Sequence, residues 1–149
     1  MSGPLNIPIK KCDPRAVAPT YATEHSAGAD LYLCAEAELV VLPGETVLAH
    51  TGVAMAIPEG YVGLTFARSG LAAKRGLAPA NKVGVIDSDY RGEILIPLHN
   101  HGSEPQSVQP GERIAQILFL EYGKAAFTCV DELTGTERGE GGFGSTGTS

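Results

Sequence analysis

Turn-forming residues divide this sequence into short apolar runs, and that spacing limits the folds open to the chain. Its 149 residues include 19 glycines and 10 prolines. Pro-Gly-Glu occurs at 43–45 and again at 110–112, a pairing in which proline presets one turn residue and glycine accepts the positive φ of the next. The pattern predicts an all-β domain, built as a barrel or a sandwich. Strands are predicted between the turns, at 39–42, 46–57, 61–67 and 113–122.

One short helix interrupts the predicted strands. Ser69 can cap its first turn, residues 71–75 have high helix propensity, and Gly76 suits the left-handed position that ends a helix. The alanine and leucines of 113–122 could form a second helix. We favour a strand there because the segment is short and flanked by glycines.

Composition and charge narrow the function classes. A hydrophobic content of 43% and a charged content of 19% are typical of a soluble globular domain with its own core. No apolar run approaches the roughly 18 residues of a membrane helix, and prolines and polar residues interrupt the N-terminus where a signal peptide would be apolar. The net charge of −6 disfavours a nucleic-acid polymer as partner, but a few arginines could bind a small anion. Cys12, Cys34 and Cys129 form no CxxC pair, which favours a reduced cytoplasm over a disulfide framework.

A polar corner at 84–92 separates two apolar runs, and we expect it to join the strands of a hairpin. A turn needs only the Asp-Ser-Asp of 87–89, because short polar side chains bond nearby backbone. Tyr90 and Arg91 exceed that need, so the corner could hold a sugar and an anion. The alternative is a plain turn with both side chains lying along its surface.

Two glycine-containing segments could bind phosphate. Arg68-Ser69-Gly70 combines a charge, a hydroxyl and a close-approach glycine at a helix start, although Ser69 could serve only as the cap. Residues 138–147 are too rich in glycine to build a core and predict a mobile arm whose backbone could cradle phosphate oxygens. The alternative for the arm is a disordered tail, since no Walker A pattern is present.

Other polar residues give weaker signals. His99 and His101 alternate on one side of a predicted strand, as a metal pair could, but no third ligand has suitable spacing. A surface pair is therefore the favoured interpretation. Asp30, within the sequence of 27–32, could equally be a turn acid.

Taken together, these segments resemble the homotrimeric dUTPase family, the deoxyuridine triphosphate nucleotidohydrolases. The five family motifs occur in order, at 27–32, 68–72, 84–92, 111–116 and 138–147. The resemblance implies a dUTPase-like jelly-roll or β-barrel domain over 1–133, and a flexible C-terminal arm over 134–149 that closes over the active site.

The resemblance also implies an activity and its setting. A dUTPase hydrolyses dUTP to dUMP and pyrophosphate with Mg²⁺, which limits uracil in DNA and supplies dUMP for dTMP synthesis. It would be a cytoplasmic homotrimer with each active site assembled from three subunits, and it would bind neither a nucleic-acid polymer nor a membrane.

The motifs further imply residue roles. Asp87 would hold the 3′-hydroxyl and activate the attacking water, while Tyr90 would exclude a ribose 2′-hydroxyl. Asn81 and the backbone at Gly84 would read uracil in a pocket too narrow for a 5-methyl group. Asp30 would help to position hydrated magnesium. The expected phosphate ligands and arm contacts are Arg68, Ser69, Gly70, Gln116, Arg138, Phe143 stacked on uracil, Gly144, Ser145 and Thr146. Ala67 departs from the family, where proline is common.

Two alternatives use the same resemblance. A regulatory module could keep the fold to sense nucleotide and contact a protein, but such binding needs no water-activating Asp87. A dCTP deaminase would need machinery for an exocyclic amine, and the sequence shows no strong local signature for it.

Overall fold

The computed structural model describes residues 3–144 and 147. Strands dominate, with one helix, which confirms the all-β prediction. No helix in this part of the chain is long and apolar enough to cross a membrane. In chain order the elements are β1 (Ile9–Lys11), β2 (Ala29–Tyr32), β3 (Leu39–Val41), β4 (Thr46–His50), β5 (Val53–Met55), β6 (Tyr61–Phe66), α1 (Ser69–Arg75), β7 (Leu77–Pro79), β8 (Gly84–Ile86), β9 (Leu95–Asn100), β10 (Gln106–Val108) and β11 (Arg113–Glu121).

Two antiparallel sheets carry most of the pairing. One has the order β2-β11-β6-β8 and the other β4-β9-β7, while β1-β5 and β3-β10 form two short pairs. Apolar side chains from these sheets meet in one cluster, in which Leu31, Ile96, Leu98 and Ile117 are at most 1% exposed. Burying such a side chain stabilises the fold by about 1.5–3 kcal/mol, so this cluster holds the sheets together.

The longest strand, β11, lies between β2 and β6. Its inner residues Ile114, Ala115 and Ile117 are fully buried, whereas Leu120 and Glu121 at its end are exposed. Strand pairing on both edges confirms a strand rather than a helix for this segment, and the strand ends one residue before the predicted boundary.

The turns and the helix end follow the sequence rules. Gly44, Gly60 and Gly111 all have positive φ, at 76°, 88° and 84°. Gly76 ends α1 in the left-handed conformation, with φ at 65°. The predicted cap is wrong, however, because Arg68 occupies the N-cap position and Ser69 is the first helical residue, with no side-chain cap. The hydroxyl of Ser69 is thus not committed to the helix start.

The structure corrects the hairpin predicted around the polar corner. β8 pairs with β6, and β9 pairs with β4 and β7, so the two strands belong to different sheets. The corner is a link between sheets because each flanking strand finds its partner far away in sequence. Val85 on β8 is correspondingly exposed rather than buried.

The predicted strand over 46–57 is two strands, β4 and β5, separated at Gly52. There φ is 69°, and an added Cβ would lie 2.7 Å from the Ala16 side chain and 2.8 Å from Cys34 Sγ. The positive φ interrupts the strand, and the close packing leaves no room for any side chain other than that of glycine. Cys34 is buried and, like Cys12 and Cys129, carries a free thiol.

No strand or helix is assigned among the described residues after β11. Phe127 is 95% exposed, Leu133 is 87% exposed and Phe143 is fully exposed. Ser145 and Thr146, two of the expected phosphate ligands, lie outside the described residues. The division into a β domain and an arm stays a prediction.

Candidate active site

The first cluster of expected site residues lines one cleft, which we call the Arg68 cleft. Its volume is about 760 Å³. Asp30 reaches it from β2, Gln116 from β11, and Arg68 and Ser69 from the start of α1, so three of the family motifs meet here. Lys82 also lines this cleft, although no motif in the sequence points to it.

Asp30 is a buried carboxylate, 6% exposed, held between two arginines. Its Oδ1 accepts a hydrogen bond from Arg68 Nε at 3.0 Å, and its Oδ2 lies 3.3 Å from Arg113 Nε. A buried carboxylate needs such partners, because an unpaired buried charge is strongly unfavourable. Asp30 therefore acts in this structure as the counter-ion of two guanidinium groups.

Gln116 lines the same cleft, directly across from Asp30 in the pairing of β11 with β2. Its Nε2 donates to the carbonyl oxygen of Ala67 at 2.9 Å. An added Cβ at Gly28 would lie 2.2 Å from Gln116 Oε1, so the missing side chain of Gly28 makes room for the amide. The first motif thus provides the glycine that the fourth motif requires.

Tyr90 is held rigidly at the polar corner. Its backbone N–H donates to the carbonyl oxygen of Asp87 at 3.1 Å, and its side-chain hydroxyl donates to the backbone carbonyl oxygen of Glu93 at 2.7 Å. The ring lies against Gly92, where an added Cβ would be 2.5 Å from the tyrosine oxygen. Arg91 donates to the carbonyl oxygens of Ser88 and Tyr90, so its guanidinium braces the turn. The Asp87 side chain is left exposed to solvent.

Glu93 anchors this corner, and the sequence analysis missed it. Its Oε2 accepts a hydrogen bond from the backbone N–H of Gly52 at 2.9 Å and lies 3.0 Å from His50 Nδ1. The next residue, Ile94, has its carbonyl oxygen bonded by the buried hydroxyl of Thr51. An acid beside a turn resembles any surface acid in sequence, because its partners lie about 40 residues away.

Gly84 lies at the entrance to the corner and is buried. An added Cβ would lie 2.1 Å from Thr65 Oγ1 and 3.3 Å from Asn81 Nδ2. Close packing thus brings the backbone of Gly84 beside the amide of Asn81, which is exposed. These two residues were expected to read the same base edge, and the structure places them side by side.

Asp87 does not line the Arg68 cleft. Asp87 lines two other depressions, one with Glu59 and Lys124 and one with Tyr90 and Glu93, and neither shares a residue with the Arg68 cleft. Within one chain, the expected base Asp87 and the expected phosphate ligands Arg68, Ser69 and Gln116 therefore line different depressions.

The described part of the arm also stands apart from both. Arg138 Nε donates to the carbonyl oxygen of Gly141 at 2.7 Å, and Phe143 has a positive φ of 51°. Arg138, Phe143 and Gly144 line none of the depressions described above.

The donor groups of the chain offer little to a bare metal ion. Among residues 3–144 and 147, no three His, Cys, Asp or Glu side chains are grouped to hold one. The rings of His99 and His101 lie 4.5 Å apart, but they bond Thr46 and Lys82. Both oxygens of Asp30 already contact arginines. Such a donor set fits Mg²⁺ only where the ligand supplies most of the oxygens and Asp30 acts through water.

Comparisons with known proteins point to one family. A family model described as dUTPase matches residues 15–147. The deoxyuridine 5′-triphosphate nucleotidohydrolase of Desulfitobacterium hafniense is 54% identical over 132 residues, which are 88% of this chain and 87% of the relative. The protein of that name from Syntrophotalea carbinolica is 46% identical over 143 residues, covering 96% and 97%.

Solved structures agree. The dUTPase of Staphylococcus bacteriophage 80alpha with dUPNHPP has a TM-score of 0.89 at 29% identity, covering 96% of this chain and 99% of that one. A mutant dUTPase of phage phi11, whose structure describes a structural Mg(II) ion, has a TM-score of 0.78 at 24% identity, covering 85% and 97%. The fold of this chain is the jelly-roll β fold of these proteins.

Proposed function

Because the chain belongs to the dUTPase family, we propose that it is a dUTP diphosphatase, which hydrolyses dUTP to dUMP and pyrophosphate. The observation that carries the activity is the exposed carboxylate of Asp87, held on a corner that Tyr90 and Glu93 brace. A carboxylate fixed in this way can act as a general base, which typically accelerates a reaction about 10²–10⁴-fold.

In the proposed reaction, Asp87 accepts a proton from a water molecule as that water attacks the phosphate chain. The water oxygen forms a bond to the phosphorus that it attacks, the bond from that phosphorus to the oxygen bridging the α- and β-phosphates breaks, and dUMP and pyrophosphate leave. Asp30 would hold a hydrated Mg²⁺ through water, with the triphosphate providing most of its oxygen ligands, and the ion would neutralise charge that develops on the phosphates.

The phosphates bind in the Arg68 cleft. Arg68 offers the guanidinium nitrogens that Asp30 does not occupy, and Ser69 offers a hydroxyl that is free of capping. Gly70 lines the neighbouring depression, which shares Arg68 with the cleft, and its backbone is open to a ligand because nothing lies within 4 Å of a Cβ added there. Gln116, fixed by the carbonyl oxygen of Ala67, completes this set.

Selectivity for dUTP comes from the corner. The ring of Tyr90, fixed through its hydroxyl, packs on the deoxyribose where a 2′-hydroxyl would stand and so rejects UTP. Asn81 and the backbone at Gly84 read the uracil edge. The close packing of Gly84 against Thr65 supports a pocket too narrow for the 5-methyl group of thymine.

The separation of the corner from the Arg68 cleft supports a shared active site. A homotrimer would bring the corner of one subunit to the cleft of the next, and the arm from residue 134 of the third would close over the ligand. Phe143 would stack on uracil, and Arg138 with residues 144–146 would meet the phosphates. Such an enzyme, acting in the cytoplasm, limits uracil in DNA and supplies dUMP for dTMP synthesis.

The test is pyrophosphate release with Mg²⁺ from dUTP, dTTP, dCTP and UTP in parallel. We expect turnover of dUTP alone. Turnover of all four would overturn the selectivity assigned to Tyr90 and Asn81, and turnover of none would overturn the proposed function. Ammonia measured alongside would separate a deaminase, which would release it from dCTP.

A further inference from the structure

Arg113 contacts Asp30 of the candidate site, although it is not among the proposed ligands of dUTP. Its Nε lies 3.3 Å from Asp30 Oδ2, whereas Arg68 contacts the other oxygen of that carboxylate, Oδ1. The two arginines line a second depression together with Tyr32 and Lys74, whereas Arg113 is absent from the lining of the Arg68 cleft. Arg113 is therefore placed to support Arg68 through Asp30 rather than to meet the ligand in that cleft.

A β-bulge gives Arg113 this position. In the pairing of β11 with β2, Gln116 lies opposite Asp30 and Ala115 opposite Leu31, but Arg113, not Ile114, lies opposite Tyr32. Regular alternation would put Arg113 and Gln116 on opposite faces of the strand, because they are three residues apart. The bulge inserts Ile114 as an extra, fully buried residue and turns Arg113 onto the face of Asp30 and Gln116.

The Arg113 side chain is further held by Tyr32. The guanidinium carbon lies over the tyrosine ring, 5.9 Å from its centroid, within the range of a cation–π contact. The Tyr32 hydroxyl is hydrogen-bonded to the hydroxyl of Thr20. This hydrogen bond lowers the pKa of Tyr32 most, and a hydrogen bond with Arg113 lowers that pKa further. The ring and the bulge thus fix Arg113 from two directions.

Charge explains why the second arginine is useful. Asp30 and Arg68 alone would form a neutral pair, with one carboxylate oxygen left without a charged partner in a buried position. Arg113 forms an ion pair with that oxygen, so the three side chains together carry a net positive charge. Arg68 is then held by its Nε alone, and the rest of its guanidinium remains cationic toward an anion in the cleft.

We propose that Arg113 is a positioning residue, which together with Asp30 fixes the guanidinium of Arg68 in the orientation that binds the phosphates of dUTP. This inference rests on the proposed function. It predicts that Arg113 acts on the phosphate part of the ligand and only through Arg68. Two features of binding therefore follow: dependence on phosphate, and dependence on the residue at 68.

The first experiment measures binding of α,β-imido-dUTP and inhibition by deoxyuridine, which lacks phosphates. Arg113→Gln should weaken the imido analogue about 10-fold and change the inhibition constant of deoxyuridine less than about 2-fold. Arg113→Lys should have an affinity for the imido analogue between those of the parent and Arg113→Gln. Lysine keeps the positive charge but lacks the planar guanidinium that stacks on the tyrosine ring and contacts Asp30. The matched control is Arg15→Gln, an arginine of similar exposure (45% against 48%) paired with Asp13 elsewhere on the chain; it should match the parent.

The second experiment is a double-mutant cycle with Arg68→Lys, which removes the Nε that Asp30 bonds. Once residue 68 is lysine, Arg113→Gln should cost less than about 2-fold in affinity for the imido analogue. Additive losses would overturn the proposal, since Arg113 would then act on the ligand by itself. Equal losses for deoxyuridine and the imido analogue would overturn it as well, by indicating a general structural defect.

Failure of this inference and failure of the proposed function are distinguishable. If the parent protein turns over dUTP and the losses in the cycle are additive, only the role proposed for Arg113 is overturned. If the parent protein neither binds the imido analogue nor releases pyrophosphate from dUTP, both the role of Arg113 and the proposed function are overturned. Should Arg113→Gln lower the unfolding temperature, the cycle is run with Arg113→Lys, and additivity there overturns the proposal in the same way.

Discussion

Single residues in this chain carry functions that depend on how their neighbours hold them. Asp87 is the proposed base, and the turn that carries it is held by hydrogen bonds of Tyr90, Glu93 and Arg91. The sequence predicted both Asp87 and Tyr90 as site residues. The family motif indicates Asp87, and Tyr90 stands out because a turn at 87–89 does not require it. Glu93 and Arg113 were not identified, because their roles depend on contacts with residues distant along the chain.

Replacing Asp87 with Asn should leave substrate binding nearly unchanged and lower kcat about 10²–10⁴-fold, because the amide cannot accept the proton of the attacking water. Steady-state pyrophosphate release measures both quantities. Asp89→Asn, an exposed acid of the same turn, is the control and should keep the parent rate. A parent-like kcat for Asp87→Asn would remove the residue from its assigned role.

Gly84→Ala should destabilise the protein by about 1–3 kcal/mol, because the new methyl group meets buried Thr65. Its Cβ would lie 2.1 Å from Thr65 Oγ1, whereas a Cβ added at Gly123 would meet nothing within 4 Å. Urea unfolding of both alanine variants compares them directly, with Gly123→Ala expected at parent stability. Adding Thr65→Ala should recover part of the loss at Gly84; equal stability of the two glycine variants would contradict the packing argument.

Elements show where sequence rules succeed and where they fail. The Pro-Gly turns and the glycine end of α1 were predictable, since a local backbone requirement selects the residue. The pairing of β8 and β9 was not, because strand partners are chosen by burial across the whole domain. The bulge at Ile114 is equally invisible in sequence, although it decides which face of β11 presents Arg113.

Helix α1 is tied to the loop before β11 by an ion pair between Arg75 and Glu112, and this tie should depend on pH. Arg75 holds the pKa of Glu112 below its ordinary value of 4.5. A lowered pKa in the folded state stabilises the protein above pH 4.5, and the contribution is lost as pH falls through the lowered value.

Glu112→Gln should therefore lower the free energy of unfolding by about 1 kcal/mol at neutral pH. The difference from the parent should shrink as the solution is acidified below the ordinary pKa of 4.5. Urea unfolding at several pH values measures it, with exposed Glu24→Gln as control. A deficit that stays constant down to acid pH would show that the ion pair is not its cause.

The whole molecule distributes its expected active-site residues over different depressions of one chain. The motifs predicted which residues matter, but no periodicity in the sequence indicates how many chains bring them together. The Arg68 cleft contains the expected phosphate ligands Arg68, Ser69 and Gln116, and Asp87 lines two other depressions. This arrangement is the physical reason to propose an oligomeric enzyme.

A chain ending at residue 133 tests the proposed arm. Because the core cluster lies entirely before that residue, its unfolding temperature should match the parent. Turnover of dUTP should fall by at least about 10-fold, since nothing then closes over the ligand. Full activity of the shortened chain would contradict the role given to residues 138–147.

The central claim is that one subunit supplies the corner and another the cleft, and mixed assemblies test it most directly. Asp87→Asn and Arg68→Ala chains, each inactive alone, would be co-expressed in equal amounts and assayed for pyrophosphate release from dUTP. A shared site predicts recovery of about a quarter of the parent activity, because half of the clefts and half of the facing corners are intact. No recovery from assemblies shown to contain both chains would place the whole site within one subunit and contradict the account.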